Sequence, residues 1–123
     1  MILVDTSVWI DHLRYGDSTL VGLLNAGAVI AHPFVLGEIA LGSLRQREVV
    51  LETLNNLPRA KIATDEEVLA FISQSKLYGL GVGYVDAHLL ASVRLMPGVL
   101  IWTRDKRLRT VAIQLGLHAI TEH

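Results

Sequence analysis

The sequence contains no cysteine among its 123 residues, which excludes a disulfide framework, a thiolate nucleophile and a cysteine-based zinc site. Such a chain fits a reducing cytoplasm, where we expect it. It also lacks any apolar run near the roughly 20 residues of a membrane-spanning helix, since stretches such as Val99–Trp102 have the length of a strand. No basic leader precedes Ile2, so we expect neither a membrane segment nor a signal peptide.

An excess of positive charge is missing as well. The 11 Lys and Arg residues are balanced by 12 Asp and Glu residues, which gives a formal net charge of −1 and a pI near 6.5. Proteins that bind nucleic acid by neutralising phosphates are usually basic, so this balance argues against a general nucleic-acid-binding module. It argues less against a nuclease, because bound cations would add positive charge that the formal count omits.

Apolar residues, in contrast, are abundant. They make up 51% of the chain, and the mean hydropathy is +0.43. A chain of this length forms one domain with a single core, which we assign to residues 1–123. A domain so small has too little interior for all of these side chains. We therefore expect the excess to form a dimer face, a partner-binding groove or both.

Short apolar segments alternate with helical patterns along the chain. The predicted strands are Ile2–Asp5, Ala28–Ala31 and Val99–Trp102, with further candidates at Lys61–Ala63 and His118–Ile120. The predicted helices are a brief one through Val8–Ile10, then Ser18–Ala26, Pro33–Leu44, Glu48–Leu57, Thr64–Tyr78, Tyr84–Leu95 and Lys106–Leu115. This alternation predicts an α/β fold, a three-layer α/β/α sandwich with a short parallel sheet.

Two acidic residues, Asp5 and Asp105, come just after predicted strands. In open α/β sheets, ligands bind at the carboxyl ends of the strands, so both acids are candidates for a binding site. The alternative is that each one is a helix N-cap, a position at which aspartate is favoured. Neither residue by itself distinguishes these two interpretations.

Two further acids stand on predicted helices where an apolar residue is expected. Glu38 shares a predicted helix face with Phe34 and Leu41, and Asp86 falls in an apolar stripe where leucine would fit. An ionised carboxylate in such a place costs several kcal/mol unless a cation lies beside it. The cation could be an arginine, such as Arg45 for Glu38, or a metal ion.

The four acids together favour the metal ion. Carboxylates that are brought close together raise one another's pKa unless a cation neutralises them. Oxygen ligands without cysteine or an organised histidine set favour Mg²⁺ or Mn²⁺ over zinc. These ions can activate water and stabilise an in-line displacement at phosphorus. The sequence therefore predicts phosphodiester hydrolysis, with four residues as both metal ligands and catalytic groups: Asp5, Glu38, Asp86 and Asp105.

The histidines near the acids or the strand ends match no zinc-binding spacing. They are His12, His32 and His88. We expect capping, solvent exposure or a hydrogen bond to substrate for them, rather than metal ligation.

A dense basic cluster lies directly beside Asp105. It consists of Arg104, Lys106, Arg107 and Arg109. A solvated helix face and a phosphate-positioning surface both fit this cluster. We retain Arg104, Lys106 and Arg107 as candidate substrate-binding residues.

Each of the four acids belongs to a short segment that resembles a known motif. The segments are Val4–Ile10, Glu38–Gly42, Asp86–Ser92 and Trp102–Leu108. In this order, and over nearly the whole chain, they resemble the four motifs of the PIN-domain family. The resemblance is greatest to VapC-type toxins of prokaryotic toxin–antitoxin pairs. One departure is Val93, at a position where the third motif often has a small residue.

The resemblance implies an endoribonuclease that depends on Mg²⁺ or Mn²⁺ and hydrolyses RNA with metal-activated water. It implies that the four acids form the site, with Thr6 or Ser7 and Thr103 as supporting hydroxyls. It further implies a homodimer that is inhibited by a cognate antitoxin, whose C-terminal segment would lie along an apolar groove.

Other functions fit the sequence less well. A PIN-like nuclease acting on DNA, or one in RNA processing without an antitoxin, is not excluded by any residue. A phosphoacceptor signalling domain has a similar length and sheet, but it needs paired acids after the first strand and a central aspartate. Here Thr6 and Ser7 follow Asp5, and the middle of the chain offers Asn55 and Asn56 instead. An aspartate-nucleophile phosphatase needs an acid where Ser7 stands.

Overall fold

The computed structural model describes residues 1–119 and has three strands and seven helices in that range. The strands are β1 (Ile2–Val4), β2 (Val29–Ile30) and β3 (Leu100–Trp102). The helices are α1 (Thr6–Tyr15), α2 (Ser18–Asn25), α3 (Pro33–Ala40), α4 (Arg47–Asn55), α5 (Asp65–Gln74), α6 (Tyr84–Leu95) and α7 (Lys106–Gln114). None of these helices has the length and apolar character needed to cross a membrane.

The sheet is short, parallel and covered on both faces. β1 lies between β2 and β3, and Val4 pairs with Trp102 in the register of β1 and β3. The consecutive residues Leu3 and Val4 of β1, like Ile101 and Trp102 of β3, are at most 1% exposed. Because consecutive strand residues point to opposite faces, helices must cover both sides. The predicted α/β class with its three layers is confirmed.

Several helices begin at a side chain that caps the first free backbone N–H groups. The capping residues are Asp5, Asp17, His32, Thr64 and Asp105. Thr64 and Glu67 form the capping box that the sequence predicts. Since β1 and β3 are parallel neighbours, the caps that follow them, Asp5 and Asp105, are placed at the same edge of the sheet.

One candidate strand is absent from this sheet, and a second is described only in part. Residues 61–63 belong to no strand, and the nearest pairing is a single bridge between Arg59 and Ala31, so the strand predicted at Lys61–Ala63 is wrong. Of the strand predicted at His118–Ile120, His118 forms one bridge with Ile101. Ile120 lies outside the described residues.

Two helices end four residues earlier than the sequence pattern predicts, and the other early helix ends differ by less. α3 ends at Ala40 instead of Leu44, and α5 ends at Gln74 instead of Tyr78. At the end of α5, Lys76 adopts a left-handed φ of 54°, which breaks the helical repeat. α1, in contrast, is a full ten-residue helix where a brief one is predicted.

The expected excess of apolar surface is present. Large apolar or aromatic side chains that are more than half exposed are Tyr15, Leu41, Val49, Ile62, Leu69, Tyr78 and Ile113. They lie on several different elements, so the described surface has apolar groups available for contacts beyond the monomer.

Candidate active site

Asp5 is the buried member of the acidic set. It follows β1, caps α1 and is 5% exposed. Its Oδ2 accepts hydrogen bonds from Ser7 Oγ at 2.7 Å and Thr103 Oγ1 at 2.8 Å. Among the described residues no donor reaches Oδ1. Two hydroxyls therefore orient one oxygen of a buried carboxylate and leave the other available.

The same two hydroxyls connect Asp5 to the chain after β3. Ser7 Oγ accepts a hydrogen bond from the backbone N–H of Arg104 at 3.0 Å, and Thr103 Oγ1 accepts one from Asp105 at 3.1 Å. Each hydroxyl thus accepts from the backbone and donates to the carboxylate. This arrangement fixes the start of α1 against the carboxyl end of β3. The positions of Asp5 and Asp105 relative to each other are fixed as a result.

Asp105 is exposed and caps α7 with one oxygen, since its Oδ1 accepts from the backbone N–H of Leu108 at 3.0 Å. The N-cap interpretation of Asp5 and Asp105 is therefore confirmed, whereas their role in a binding site stays a prediction. Each is an N-cap, and each keeps a second carboxylate oxygen that no described donor occupies.

Glu38 is exposed, so the prediction that it stands on an apolar, buried face is wrong. α3 ends before Leu41, which is 90% exposed, and the expected apolar face does not continue. Thr6 Oγ1 donates a 2.7 Å hydrogen bond to Glu38 Oε1. The alternative ion pair with Arg45 does not form among the described residues.

Asp86 lies in the first turn of α6 and is partly buried, as its apolar stripe predicts. Burial, together with the negative charges of the other three acids, raises the pKa of the Asp86 carboxyl to about 6. No basic side chain of the described residues pairs with it. The structure therefore brings the other three acids within electrostatic reach of Asp86, and no described basic side chain pairs with it.

The donor set fits a hard divalent cation. In the part of the chain that the structure describes, no three acidic or histidine side chains converge tightly enough to enclose an ion by themselves. Mg²⁺ needs no such enclosure, because it keeps several water ligands and is commonly bound through one or two carboxylates. Oxygens without a described hydrogen-bond donor remain on every acid: Asp5 Oδ1, Glu38 Oε2, Asp105 Oδ2 and both oxygens of Asp86.

His32, one of the three histidines, is a buried structural group. Its Nδ1 accepts from the backbone N–H of Phe34 at 3.0 Å, and its Nε2 lies 3.1 Å from Ser92 Oγ. Burial and, to a smaller degree, the neighbouring His88 lower the pKa of His32 to about 4. The neutral ring therefore caps α3 and donates to α6, which links the helices that carry Glu38 and Asp86.

The other two histidines also have local contacts. His12 Nδ1 accepts from the backbone N–H of Asp17 at 3.0 Å, which agrees with the expected capping role. His88 is buried between the rings of Phe34 and Tyr84, each at a centroid distance of 4.8 Å. Its Nε2 lies 3.4 Å from Asp65 Oδ1, an acid outside the set of four.

Arg104 has a structural role that sequence reasoning missed. Its guanidinium pairs with Asp11 Oδ2 at 2.9 Å and Asp17 Oδ2 at 2.6 Å, and it lies 5.4 Å from the ring centroid of Trp102. The backbone N–H of Leu20 is the main cause of a lowered pKa at Asp17, and Arg104 contributes. The side chain thus joins the end of β3 to α1 and to the start of α2. A substrate-binding role for Arg104 stays a prediction.

Lys106 and Arg107 are exposed in the first turn of α7. Arg107 lies against the backbone of Gly81, where an added Cβ would come within 2.9 Å of its Nη1. Gly81 also has a φ of +78°, so this position suits glycine on both counts. The two basic side chains remain candidate phosphate contacts beside Asp105.

We expect Arg104→Ala to lower the free energy of unfolding by about 1–2 kcal/mol, because it leaves Asp11 and Asp17 without their common partner. The measurement is urea unfolding, read as a shift of the midpoint at constant slope. Arg109→Ala is the matched control, since Arg109 is exposed on α7, and its effect should stay within about 0.5 kcal/mol. Equal losses in the two variants would contradict the role of Arg104.

Comparisons with known proteins identify the family of this chain. The family model described as PIN domain matches residues 2–114. The protein named Ribonuclease VapC32, from two Mycobacterium tuberculosis strains (CDC 1551 / Oshkosh and ATCC 25618 / H37Rv), is 50% identical over 117 residues in each strain. These matches cover 95% of this chain and 94% of the relative.

A solved structure also has a similar fold. A chain in the structure described as FitAB bound to an IR36 DNA fragment superposes with a TM-score of 0.59 and 21% identity. The superposition covers 92% of this chain and 91% of the other. At this identity the likeness concerns the fold alone.

Proposed function

Because the chain belongs to the PIN-domain family, we propose that it is a metal-dependent endoribonuclease and the toxin of a toxin–antitoxin pair. The observation that carries the proposal is the electrostatic coupling of Asp86 to three other carboxylates without a protein cation. Half of the aligned positions are identical to those of a protein named a ribonuclease, over almost the whole of both chains, which supports RNA as the substrate.

We assign Asp5, Asp86 and Asp105 as residues that would hold Mg²⁺ or Mn²⁺ directly or through water. When bound, the ion would activate water and neutralise charge on the phosphate. Ser7 and Thr103 hold Asp5 in one orientation, because each donates to the same carboxylate oxygen. Thr6 fixes one oxygen of Glu38, whose other oxygen would orient the attacking water.

The proposed partners are RNA, a second copy of this chain and a cognate antitoxin protein. The exposed apolar side chains on several elements support protein partners, since a domain that acts alone needs fewer of them. We propose that residues 1–123 act as one nuclease domain. Lys106 and Arg107 would contact phosphates beside Asp105.

Purified protein should cleave RNA in the presence of Mg²⁺ or Mn²⁺, lose this activity in EDTA, and regain it when excess metal is added. Because water attacks rather than a ribose 2′-hydroxyl, the products should carry 5′-phosphate and 3′-hydroxyl ends. Denaturing gels with end-labelled RNA report both results. A DNA strand of the same sequence is the matched control for the DNA-cleaving alternative. Cleavage that survives EDTA would refute metal dependence.

A further inference from the structure

The backbone of Arg104 is connected to the buried carboxylate of the site through a single hydroxyl. The Arg104 N–H donates to Ser7 Oγ at 3.0 Å, and Ser7 Oγ donates to Asp5 Oδ2 at 2.7 Å. A shift of the Arg104 backbone would therefore move or release the Ser7 hydroxyl. Whatever fixes this backbone also contributes to the orientation of Asp5.

The side chain of Arg104 is held by two carboxylates that lie outside the set of four acids. Nη1 donates to Asp11 Oδ2 of α1 at 2.9 Å, and Nη2 donates to Oδ2 of Asp17, the N-cap of α2, at 2.6 Å. The side chains of Arg104 and Asp17 are 27% and 17% exposed, so solvent screens their pair less than a pair on the open surface. We call Asp11, Arg104 and Asp17 the ion triad.

The ring of Trp102 makes a further contact with the same side chain. Trp102 is fully buried in β3, and Cζ of Arg104 lies 5.4 Å from its ring centroid. A planar, forked guanidinium can contact two carboxylates and an aromatic ring at once, whereas a lysine ammonium is a compact point charge. The contacts of the ion triad and of Trp102 therefore suit arginine in particular.

We propose that Arg104 is a positioning residue for Asp5. The ion triad holds the backbone N–H of residue 104 where it meets Ser7 Oγ, and Ser7 in turn orients the carboxylate. The inference rests on the proposed nuclease function and deepens it, because it adds a residue outside the four acids on which the orientation of Asp5 depends. The competing role for Arg104 is a direct contact with a phosphate of the RNA.

Kinetics of Arg104→Ala on single-stranded RNA at several salt concentrations separate the two roles. Positioning predicts that kcat falls about tenfold, as when a hydrogen-bonding partner of a ligand group is removed, while KM stays within about twofold. The slope of log KM against log salt should then equal that of wild type. A phosphate contact predicts the reverse, with a higher KM, an unchanged kcat and a slope that is smaller by about 0.7.

Arg109→Ala is the matched control, because it removes the same side chain from an exposed position of α7. It should keep kcat, KM and the salt slope of the wild type. A control that loses as much kcat as Arg104→Ala would show a general charge effect and overturn the proposal.

A second variant keeps the arginine and removes the charges of its partners. In Asp11→Asn/Asp17→Asn the side chains keep their shape, and asparagine at position 17 is still a favoured N-cap. Positioning predicts a loss of kcat similar to that of Arg104→Ala. A phosphate contact predicts a lower KM instead, because the guanidinium would be released from its two aspartates. Glu52→Gln/Glu66→Gln removes two exposed negative charges from other helices and is the matched control.

The ion triad should also act as one unit. The triple variant, which combines Arg104→Ala with the two asparagine substitutions, should lose no more kcat than Arg104→Ala alone, because all three changes remove the same contacts. Losses of kcat that multiply would show independent effects and overturn the proposal.

Two measurements do not depend on turnover. In EDTA, the protection factor of the residue 104 amide against hydrogen exchange, measured by NMR, should fall in Arg104→Ala and in the double variant, because the hydrogen bond to Ser7 opens more often. The Kd for Mn²⁺, measured by electron paramagnetic resonance, should rise about tenfold in both. Arg109→Ala should match wild type in both measurements. An unchanged protection factor at residue 104 would overturn the positioning role.

These outcomes distinguish the positioning role from the function on which it rests. Wild-type protein that cleaves no RNA with Mg²⁺ or Mn²⁺ would refute the proposed function, and the positioning role with it. Wild-type protein that cleaves RNA, together with triad variants of unchanged kcat and Mn²⁺ affinity, would refute the positioning role alone. A raised KM and a smaller salt slope in Arg104→Ala would make Arg104 a phosphate contact and would also overturn the proposal.

Discussion

Replacing Asp5 with asparagine is expected to lower the rate constant for RNA cleavage by about a thousandfold. Asparagine keeps the volume of the buried side chain and can still accept the hydrogen bonds from Ser7 and Thr103. It removes the negative charge that would hold the cation. The fold should therefore persist while the chemistry is lost. Single-turnover cleavage at saturating RNA and Mn²⁺ measures the effect.

Glu66→Gln is the matched control for Asp5→Asn. Glu66 is an exposed acid in the first turn of α5, outside the set of four, and its replacement changes the net charge equally. The rate constant of the Glu66→Gln variant should stay within about twofold of that of the wild type, because exposed surface substitutions usually have small energetic effects. An Asp5→Asn variant that retains more than about a tenth of the wild-type rate would contradict the role assigned to Asp5.

Asp86→Asn is expected to stabilise the metal-free protein while it abolishes cleavage. Burial and three neighbouring negative charges raise the folded-state pKa of Asp86 to about 6, above its ordinary value of 3.8. The folded protein therefore binds more protons than the unfolded chain between these values. Stability falls as the pH rises from about 3.8 to about 6, and the full cost of the charged group is present above that range.

The neutral variant avoids this cost. Part of the Asp86 side chain faces solvent, which screens the repulsion, so we expect a gain of about 1–2 kcal/mol at pH 7.5 in EDTA. For a domain of this size the gain corresponds to about 5 °C in the thermal midpoint. The difference should shrink towards pH 4, where Asp86 is protonated in the wild-type protein too. Mn²⁺ should raise the midpoint of wild type far more than that of the variant.

Glu66→Gln is again the control, because it removes a negative charge that is exposed in solvent. Its thermal midpoint at pH 7.5 should match that of wild type in EDTA, and it should keep the response to Mn²⁺. If Asp86→Asn were less stable than wild type at pH 7.5 without metal, the four carboxylates would not repel one another as inferred.

The positions of the acids were predictable to different degrees. Asp5 and Asp105 could be recognised because they directly follow apolar strands, and aspartate at a strand end serves as a cap or as a ligand. The sequence could not separate these roles, because a cap uses one oxygen and leaves the other free. Asp86 was predictable from helical periodicity, since its helix is long and regular.

The surroundings of Glu38 could not be predicted in the same way. Periodicity assumes that a helix continues, but α3 ends at Ala40 and leaves Leu41 in solvent. The strand predicted at Lys61–Ala63 failed for a related reason. A short segment becomes a strand only if it can pair with the edge strand of a sheet. Beyond β2, the described part of the sheet forms only the single bridge of Ala31 with Arg59.

Contacts between distant parts of the chain cannot be predicted from local sequence patterns. The ion pairs of Arg104 with Asp11 and Asp17 depend on how β3 is placed against α1 and α2. The hydrogen bond between His32 and Ser92 depends on how α3 packs near α6. The basic cluster beside Asp105 was visible in the sequence, but the partners of Arg104 were set by the tertiary fold.

The central position of β1 has a consequence for synthesis of the protein. Thr103, which orients Asp5, follows it in the chain by 98 residues, and the neighbouring strand β3 also follows β1 at long range. At typical translation rates this separation amounts to roughly 5–20 s. During that interval the nascent chain lacks the hydroxyl and the neighbouring strand that hold Asp5 in place. If Asp5 belongs to a nuclease site, as proposed, that site therefore forms only after β3 has been synthesised.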